Sequence, residues 1–415
     1  MSPDPGQRAT GGAAAWFVLI TVFLDVMAMG MMLPALPKLV ESFVPGNTAQ
    51  AARIFGLFGM AWGLMQFIGA PILGALSDRY GRRPVILLSN LGLGLDYIVM
   101  ALAPNLWVLL GGRLVAGLTA ASFSTAFAYV ADVTPESDRA GEFGKIGAVF
   151  GLGFIVGPAI GGMLSGIDHR APFWVAAGLS LTNFAYGYLV LPESLAADKR
   201  TPFTWARANP YGAMKMLGRS RRLLGLATVG FLDSLALISL PATFVLYATH
   251  TFAWTDQIIG WAFACTGIGL ALSHALLTGP AVARLGERWT LIAGLIFGVL
   301  GFSLYGVSWD GWVVWSAIPL IALWGLAESA MQALMSAEVE PGEQGQLQGA
   351  LASSVALAET LGPLLFTQVY ASAITAGAAW VPAGAPYLVA AALQALAILV
   401  AYRSTRGLPI TLAER

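Results

Sequence analysis

Five carboxylates, Asp25, Asp96, Asp233, Glu328 and Glu359, fall within long apolar stretches of this sequence, together with Arg113 and His274. An ionised side chain at the centre of a membrane span costs about 2.5–3.5 kcal/mol, so five acids facing lipid would cost on the order of 12–17 kcal/mol. They are expected to face a wet cavity or one another, where a carboxyl group can take a proton from one side and release it to the other. Asp25 is the leading candidate, because Met29 and Met32 follow at spacings of four and three and put two adaptable thioethers on its helical face. For any single methionine, filling a bundle interior is the simpler reading. Arg113 is a partner for Asp96 or for another acid. A buried arginine stays charged, so it is better suited to tuning a neighbouring carboxyl than to carrying the proton. His274 is either a proton carrier or a hydrogen-bonded interior residue.

A second concentration of charge is GALSDRYGRRPV, Gly74 to Val85, which packs Asp78, Arg79, Arg82 and Arg83 into six residues of a chain that is 11% charged. Glycines at Gly74 and Gly81 suit a tight turn between antiparallel helices, and Pro84 suits the first turn of the next one. The arginines offer bidentate donors to acids on neighbouring helix ends. Topology alone would account for the arginines but not for Asp78.

The elements that must position these groups are membrane helices. The chain has 415 residues, 57% of them hydrophobic, with a mean hydropathy of +0.73. A soluble domain carries roughly 25% charged residues, and a helical span needs about 20 mainly apolar ones. Twelve such runs are expected, near 14–36, 54–76, 85–103, 106–131, 143–166, 171–191, 223–247, 257–282, 289–308, 312–337, 346–369 and 385–403. They are too long and continuous for the strands of a membrane barrel. With both termini cytoplasmic, all but four of the 22 basic residues lie on the cytoplasmic side, as the positive-inside rule requires. The four are Lys38, Arg53 and Arg170 outside and Arg113 within a span. The first run is too long for a signal-peptide core and contains Asp25, so it is expected to be a retained span. Cys265 is the single cysteine, which excludes an intrachain disulfide or a thiolate cage.

The polar stretch 192–222 divides the spans into an N-terminal half over 14–191 and a C-terminal half over 223–403, with a cytoplasmic middle loop between them. The halves repeat one another. FLDVMAMGMMLP from Phe23 returns as FLDSLALISLP from Phe231, which makes Asp233 the mate of Asp25. GALSDRYGRR from Gly74 returns as GPAVARLGER from Gly279, with Ala283 in place of Asp78, and VGP at Val156 returns as LGP at Leu361. Three matches in one order at nearly one offset mark an internal duplication. Parallel six-helix repeats place a transporter's substrate site near the midplane between them.

On these motifs the sequence resembles the major facilitator superfamily and, within it, the twelve-span drug/proton antiporters of the tetracycline exporter type. GALSDRYGRRPV looks like the family's loop between spans two and three, GGRLVAGLTAA around Arg113 like its span-four motif, and GLGFIVGPAIGG like its antiporter motif in span five. LDVMAMGMMLPALP, LDYIVMA around Asp96 and YVADVTPESDRAGEFG extend the likeness over essentially the whole chain. The resemblance implies an all-α membrane protein of the major facilitator fold, with Asp25 facing a cation-bearing substrate, Asp96 functional and Arg113 engaged in proton handling. It also implies that Asp78 meets a helix end of the other half and that Arg82 pairs with Asp132, just past span four, as a cytoplasmic latch. Gly153, Gly157 and Gly161, with Pro158, would form a helix that seals and bends as the halves rock; tight packing alone explains the glycines, but not the Gly-Pro pair recurring at Gly362 and Pro363. One departure concerns span nine, TLIAGLIFGVLGFSLYG, which lacks the acid those exporters carry there, a job that falls to Glu328 or Glu359 or is absent. His274 stands about one turn from the exporters' own span-eight histidine.

There is no GxxxxGK[ST] loop, so ATP is not the expected energy source, and no enzyme motif or nucleic-acid stripe. The expectation is a monomeric, proton-coupled antiporter of a bacterial inner membrane, not an enzyme. It would need no cofactor beyond a proton gradient. A divalent metal such as Mg2+ would arrive on the drug and not in a protein cage, since carboxylate oxygens suit hard cations. The fold alone leaves open a proton symporter importing a sugar or organic anion. A transport-dead sensor would have no need of five costly acids.

Overall fold

The computed structural model describes residues 5–120, 122–134, 139–203, 215–340, 343–375 and 382–406. Part of the fourth-loop motif (135–138), part of the middle loop (204–214) and the tail (407–415) lie outside the described residues. Among the described residues all regular structure is helical, and nine helices are long and apolar enough to cross a membrane.

In chain order the α-helices are α1 (Pro5–Ser42), α2 (Thr48–Tyr80), α3 (Arg82–Leu102), α4 (Leu106–Thr119), α5 (Ser122–Val133), α6 (Arg139–Ser165) and α7 (Ala171–Val190). They continue as α8 (Arg221–Phe252), α9 (Asp256–Leu272), α10 (Thr278–Val307), α11 (Gly311–Trp324), α12 (Leu326–Ser336), α13 (Gln344–Thr375) and α14 (Ala385–Ser404). Helices lie at each of the twelve expected runs, but three of the runs differ in form. Span four is broken after Thr119 and resumes at Ser122, and span ten is broken at Gly325. Span eight passes from α9 through a π-turn, Ser273–Leu277, into α10. Hydropathy is blind to such changes of hydrogen-bond register.

The boundary between spans two and three is set by Gly81, at φ +108°, and that between spans eight and nine by its repeat mate Gly286, at φ +74°. Only glycine enters that region readily, which is why the repeat keeps these two while its charges diverge. Gly74 corrects an expectation: it lies inside α2 with nothing within 4 Å of where its Cβ would be among the described residues, so it serves neither turn nor close approach. Between α3 and α4, Asn105 accepts from the Val108 N–H at 3.0 Å and caps α4. Ser220 caps α8 in the same way.

The chain gathers into two compact units, Met1–Leu36 with Leu64–Asn209, and Pro37–Gly63 with Pro210–Arg415. In the first, Phe17, Val22 and Val26 of α1 pack with Ile86 of α3, Tyr129 of α5 and Ile146 of α6. The second is cored by aromatic rings, among them Phe244, Tyr247, Tyr305 and Tyr387. Two of its buried tyrosines are hydrogen-bonded, Tyr247 donating to the Tyr305 carbonyl at 2.9 Å and Tyr370 to that of Leu246 at 3.1 Å.

Candidate functional site

In the first unit Asp25 is buried on α1. Its Oδ1 accepts from Asn183 Nδ2 of α7 at 3.2 Å. Thr21 fixes that amide, its hydroxyl donating to Asn183 Oδ1 at 3.1 Å. Asp96 of α3 and Arg113 of α4, both buried, form an ion pair, so the arginine's partner is Asp96. Arg113 also donates to the Met32 sulfur at 3.2 Å, which ties the pair back to the helix that carries Asp25. Met29 is half-buried on the same helix. The Asp96–Arg113 pair holds opposite charges together out of water, a state that survives only while both partners are present.

The helix behind Asp25 is α6. A Cβ at Gly157 would come within 2.6 Å of the Met27 carbonyl and 2.8 Å of Gly30 Cα, so only glycine permits this approach. Gly153 and Gly161 flank it along the same face of α1, and Pro158 rests on Gly30.

At the loop motif, Arg82 donates through Nε to Asp132 at 3.1 Å and through Nη1 to Asp78. Asp132 lies in the last turn of α5, a correction to its expected place beyond span four, because that helix runs to Val133. Arg83 donates to the Tyr188 carbonyl at 2.7 Å, and Arg79 lies over the Tyr80 ring. Sequence reasoning missed Glu193, whose carboxylate accepts from the Arg82 and Arg83 backbone N–H groups at 2.8 and 3.3 Å. It caps α3 from a distance, since Gly81 has no side chain to do so.

In the second unit Asp233 of α8 accepts two hydrogen bonds on Oδ1, from Trp324 Nε1 at 2.7 Å and Gln394 Nε2 at 3.0 Å. Neither partner was foreseen. The only trace in the sequence is an amide within the apolar run AALQALA, which does not say what it meets. His274 sits in the π-turn, its Nε2 3.8 Å from Glu328 Oε2 and its Nδ1 2.9 Å from Ser329 Oγ. Glu328 opens α12 with its side chain 73% exposed. Glu359 stands apart, half-buried on α13 where that helix's backbone closes on Gly63 of α2. Among the described residues no three metal-ligating side chains converge.

An all-helical chain of about twelve spans, duplicated in sequence and holding a partnered carboxylate in each repeat, has the build of a membrane transporter. The profile of the Major Facilitator Superfamily matches residues 18–246 and 226–411, and the chain belongs to that family. It is 39% identical over 374 residues to the tetracycline resistance protein, class C, of Escherichia coli, covering 90% of this chain and 94% of that one. It is likewise 39% identical over 369 residues to the class G protein of Vibrio anguillarum, covering 89% and 93%. Among solved structures, the human organic anion transporter MFSD10 matches at a TM-score of 0.71 and 25% identity, over 96% of this chain and 100% of that one. The nucleoside transporter NupG matches at 0.76 with 14% identity, over 95% and 100%, a likeness of fold alone.

Proposed function

We propose that this protein is a proton-coupled exporter of a cationic drug or metal–tetracycline chelate, working by alternating access as a monomer in a bacterial inner membrane, with both termini cytoplasmic. The observation that carries this reading is Asp25, a buried carboxylate held by an amide on a methionine-bearing face, in a chain 39% identical to tetracycline resistance proteins over about nine-tenths of its length. An ionised Asp25 holds the cation. A proton entering from outside neutralises Asp25 or a carboxyl coupled to it and weakens that hold, and re-exposure to the cytoplasm releases the proton. His274 and Glu328 supply a second protonatable pair in the other repeat. Arg82, Asp78 and Asp132 act as the cytoplasmic latch, and the glycine face of α6 lets the halves rock. No resident cofactor is needed, and magnesium travels on the substrate.

The test is uptake of magnesium-tetracycline into inside-out vesicles energised to an acidic interior. Uptake that requires both the gradient and Asp25, and is abolished in a folded Asp25→Asn variant, supports the reading; unchanged uptake in that variant sinks it. The likeness to an organic anion transporter favours a second reading, proton-linked movement of an organic anion. In that case the same vesicles stay silent to tetracycline and cationic drugs and respond to aromatic carboxylates.

A further inference from the structure

Outside the groups used above, the second unit contains a cavity of about 410 Å3 walled by aromatic rings. It is built where α8 turns into α9, at HTFAWTD, and where α10 turns into α11, at WDGW. Helix α8 ends at Phe252, and Ala253 takes a left-handed φ of +53°, a conformation usually left to glycine. This turns the chain back, with the Trp254 N–H bonded to the Ala248 carbonyl at 3.3 Å. The reversal lays Trp254 against Trp315, with centroids 5.8 Å apart, and against Phe252 at 5.7 Å. A Cβ at Gly311 would come within 2.8 Å of Trp254 Nε1, so the second connection has to be this bare to admit the ring. On the other wall Trp309 and Trp312, each 79% exposed, flank Asp310, which caps α11 through Oδ1 at 3.1 Å from the Trp312 N–H and brings a carboxylate to the cavity.

We propose that this cavity binds a drug-sized organic cation with an apolar or aromatic body. Tryptophan faces attract cations within about 6 Å of the ring, and a cage of several rings is the arrangement that recognises ammonium-type groups. Asp310 supplies the complementary charge. A volume of 410 Å3 lies in the range of roughly 300–1,000 Å3 that small-molecule sites occupy. Tryptophans that anchor helices form belts at the membrane–water interface; what sets these apart is that they line one concavity together with a carboxylate. Here four converge with Phe252 and an acid on one concavity, and the turn that presents them is held in a costly backbone conformation, a pattern associated with functional sites. The site belongs to one unit and is separate from Asp25, so it does not depend on what the transporter carries.

The experiment is equilibrium binding of radiolabelled tetraphenylphosphonium to the full chain in phosphatidylglycerol nanodiscs, with no gradient. With Asp25→Asn as the background, which removes the carboxylate proposed to hold a transported cation, binding is expected to remain, to weaken about tenfold when Asp310→Asn is added, which keeps the helix cap, and to weaken at least as much with Trp312→Ala while Trp312→Phe retains most of it. Absence of binding in that background, or unchanged binding on adding Asp310→Asn and on adding Trp312→Ala, overturns the proposal. So does displacement of the cation when phosphatidylethanolamine is added to the disc, since that makes a lipid headgroup the occupant. Absence of tetracycline export leaves this result untouched, so the two readings fail separately.

Discussion

Asn183 donates through Nδ2 to Oδ1 of Asp25, from the last span of the first unit to its first. The second unit repeats the relationship, with Gln394 of its last span donating to Asp233 of its first. The duplicated sequence therefore keeps a carboxylate–amide contact on both copies while changing the amide by one methylene. An amide satisfies a buried carboxylate without fixing its charge as an arginine would, which suits a group proposed to exist in two protonation states. Replacing Asn183 by Ala is expected to destabilise the protein by about 1–3 kcal/mol, through loss of hydrogen bonds to Asp25 and Thr21. Gradient-driven transport should fall with it, whereas Asn183→Gln should retain part of both. Thermal unfolding in detergent, alongside vesicle uptake, checks this; an alanine variant as stable and active as wild type would leave the amide with no role.

The Asp96–Arg113 pair gives a prediction of opposite shape. Removing one partner of a buried ion pair leaves an uncompensated charge and costs about 3–5 kcal/mol, while replacing both by apolar groups is often neutral. Asp96→Leu and Arg113→Leu should each unfold at markedly lower temperature, and the double variant should recover most of the loss. If the pair also serves proton handling, the double variant folds but does not transport. A double-mutant cycle read once by thermal melt and once by uptake separates the two contributions.

Gly157 is expected to be intolerant of any side chain. Even alanine places a methyl 2.6 Å from the Met27 carbonyl, so α6 must move away from α1 at a cost of about 1–3 kcal/mol. The same change at the repeat mate, Gly362, meets the Ile238 side chain and not backbone. One of the atoms met is Ile238 Cβ, at 2.8 Å, which no χ1 rotation moves, so Gly362→Ala should cost about as much as Gly157→Ala. A markedly milder loss at Gly362, measured by chemical denaturation, would show that α8 yields where α1 does not.

Much of this was legible in the sequence because membrane spans declare themselves by length and hydropathy, and because the duplication marks which glycines break helices. Gly81 and Gly286 align in the repeat and both take positive φ. The contact of Arg82 with Asp132 was likewise readable from the motifs. What stayed hidden were partners across helices. Asn183, Trp324, Gln394 and Glu193 meet their carboxylates or backbone N–H groups through packing between distant elements, which no spacing along one helix encodes. The breaks after Thr119 and at Gly325, and the π-turn at His274, were hidden for a different reason: each alters backbone register inside a run whose apolar character does not change.

Ala253 yields the last prediction. It is the one non-glycine among the described residues with positive φ. A left-handed conformation costs an L-residue about 1–2 kcal/mol, and glycine escapes most of that penalty. Ala253→Gly should therefore raise stability by about 1 kcal/mol, seen as a higher melting temperature. The gain is discounted by glycine's greater freedom in the unfolded chain, so a somewhat smaller rise is still consistent. Ala253→Val should do the reverse and by more, because a β-branched side chain fits that region worst. The sign of the glycine change is the informative part. A rise shows that the native turn carries a real penalty which Trp254 and its neighbours hold in place, whereas a fall means that the alanine methyl makes contacts worth more than the strain, and the aromatic wall then owes its position to packing and not to the turn.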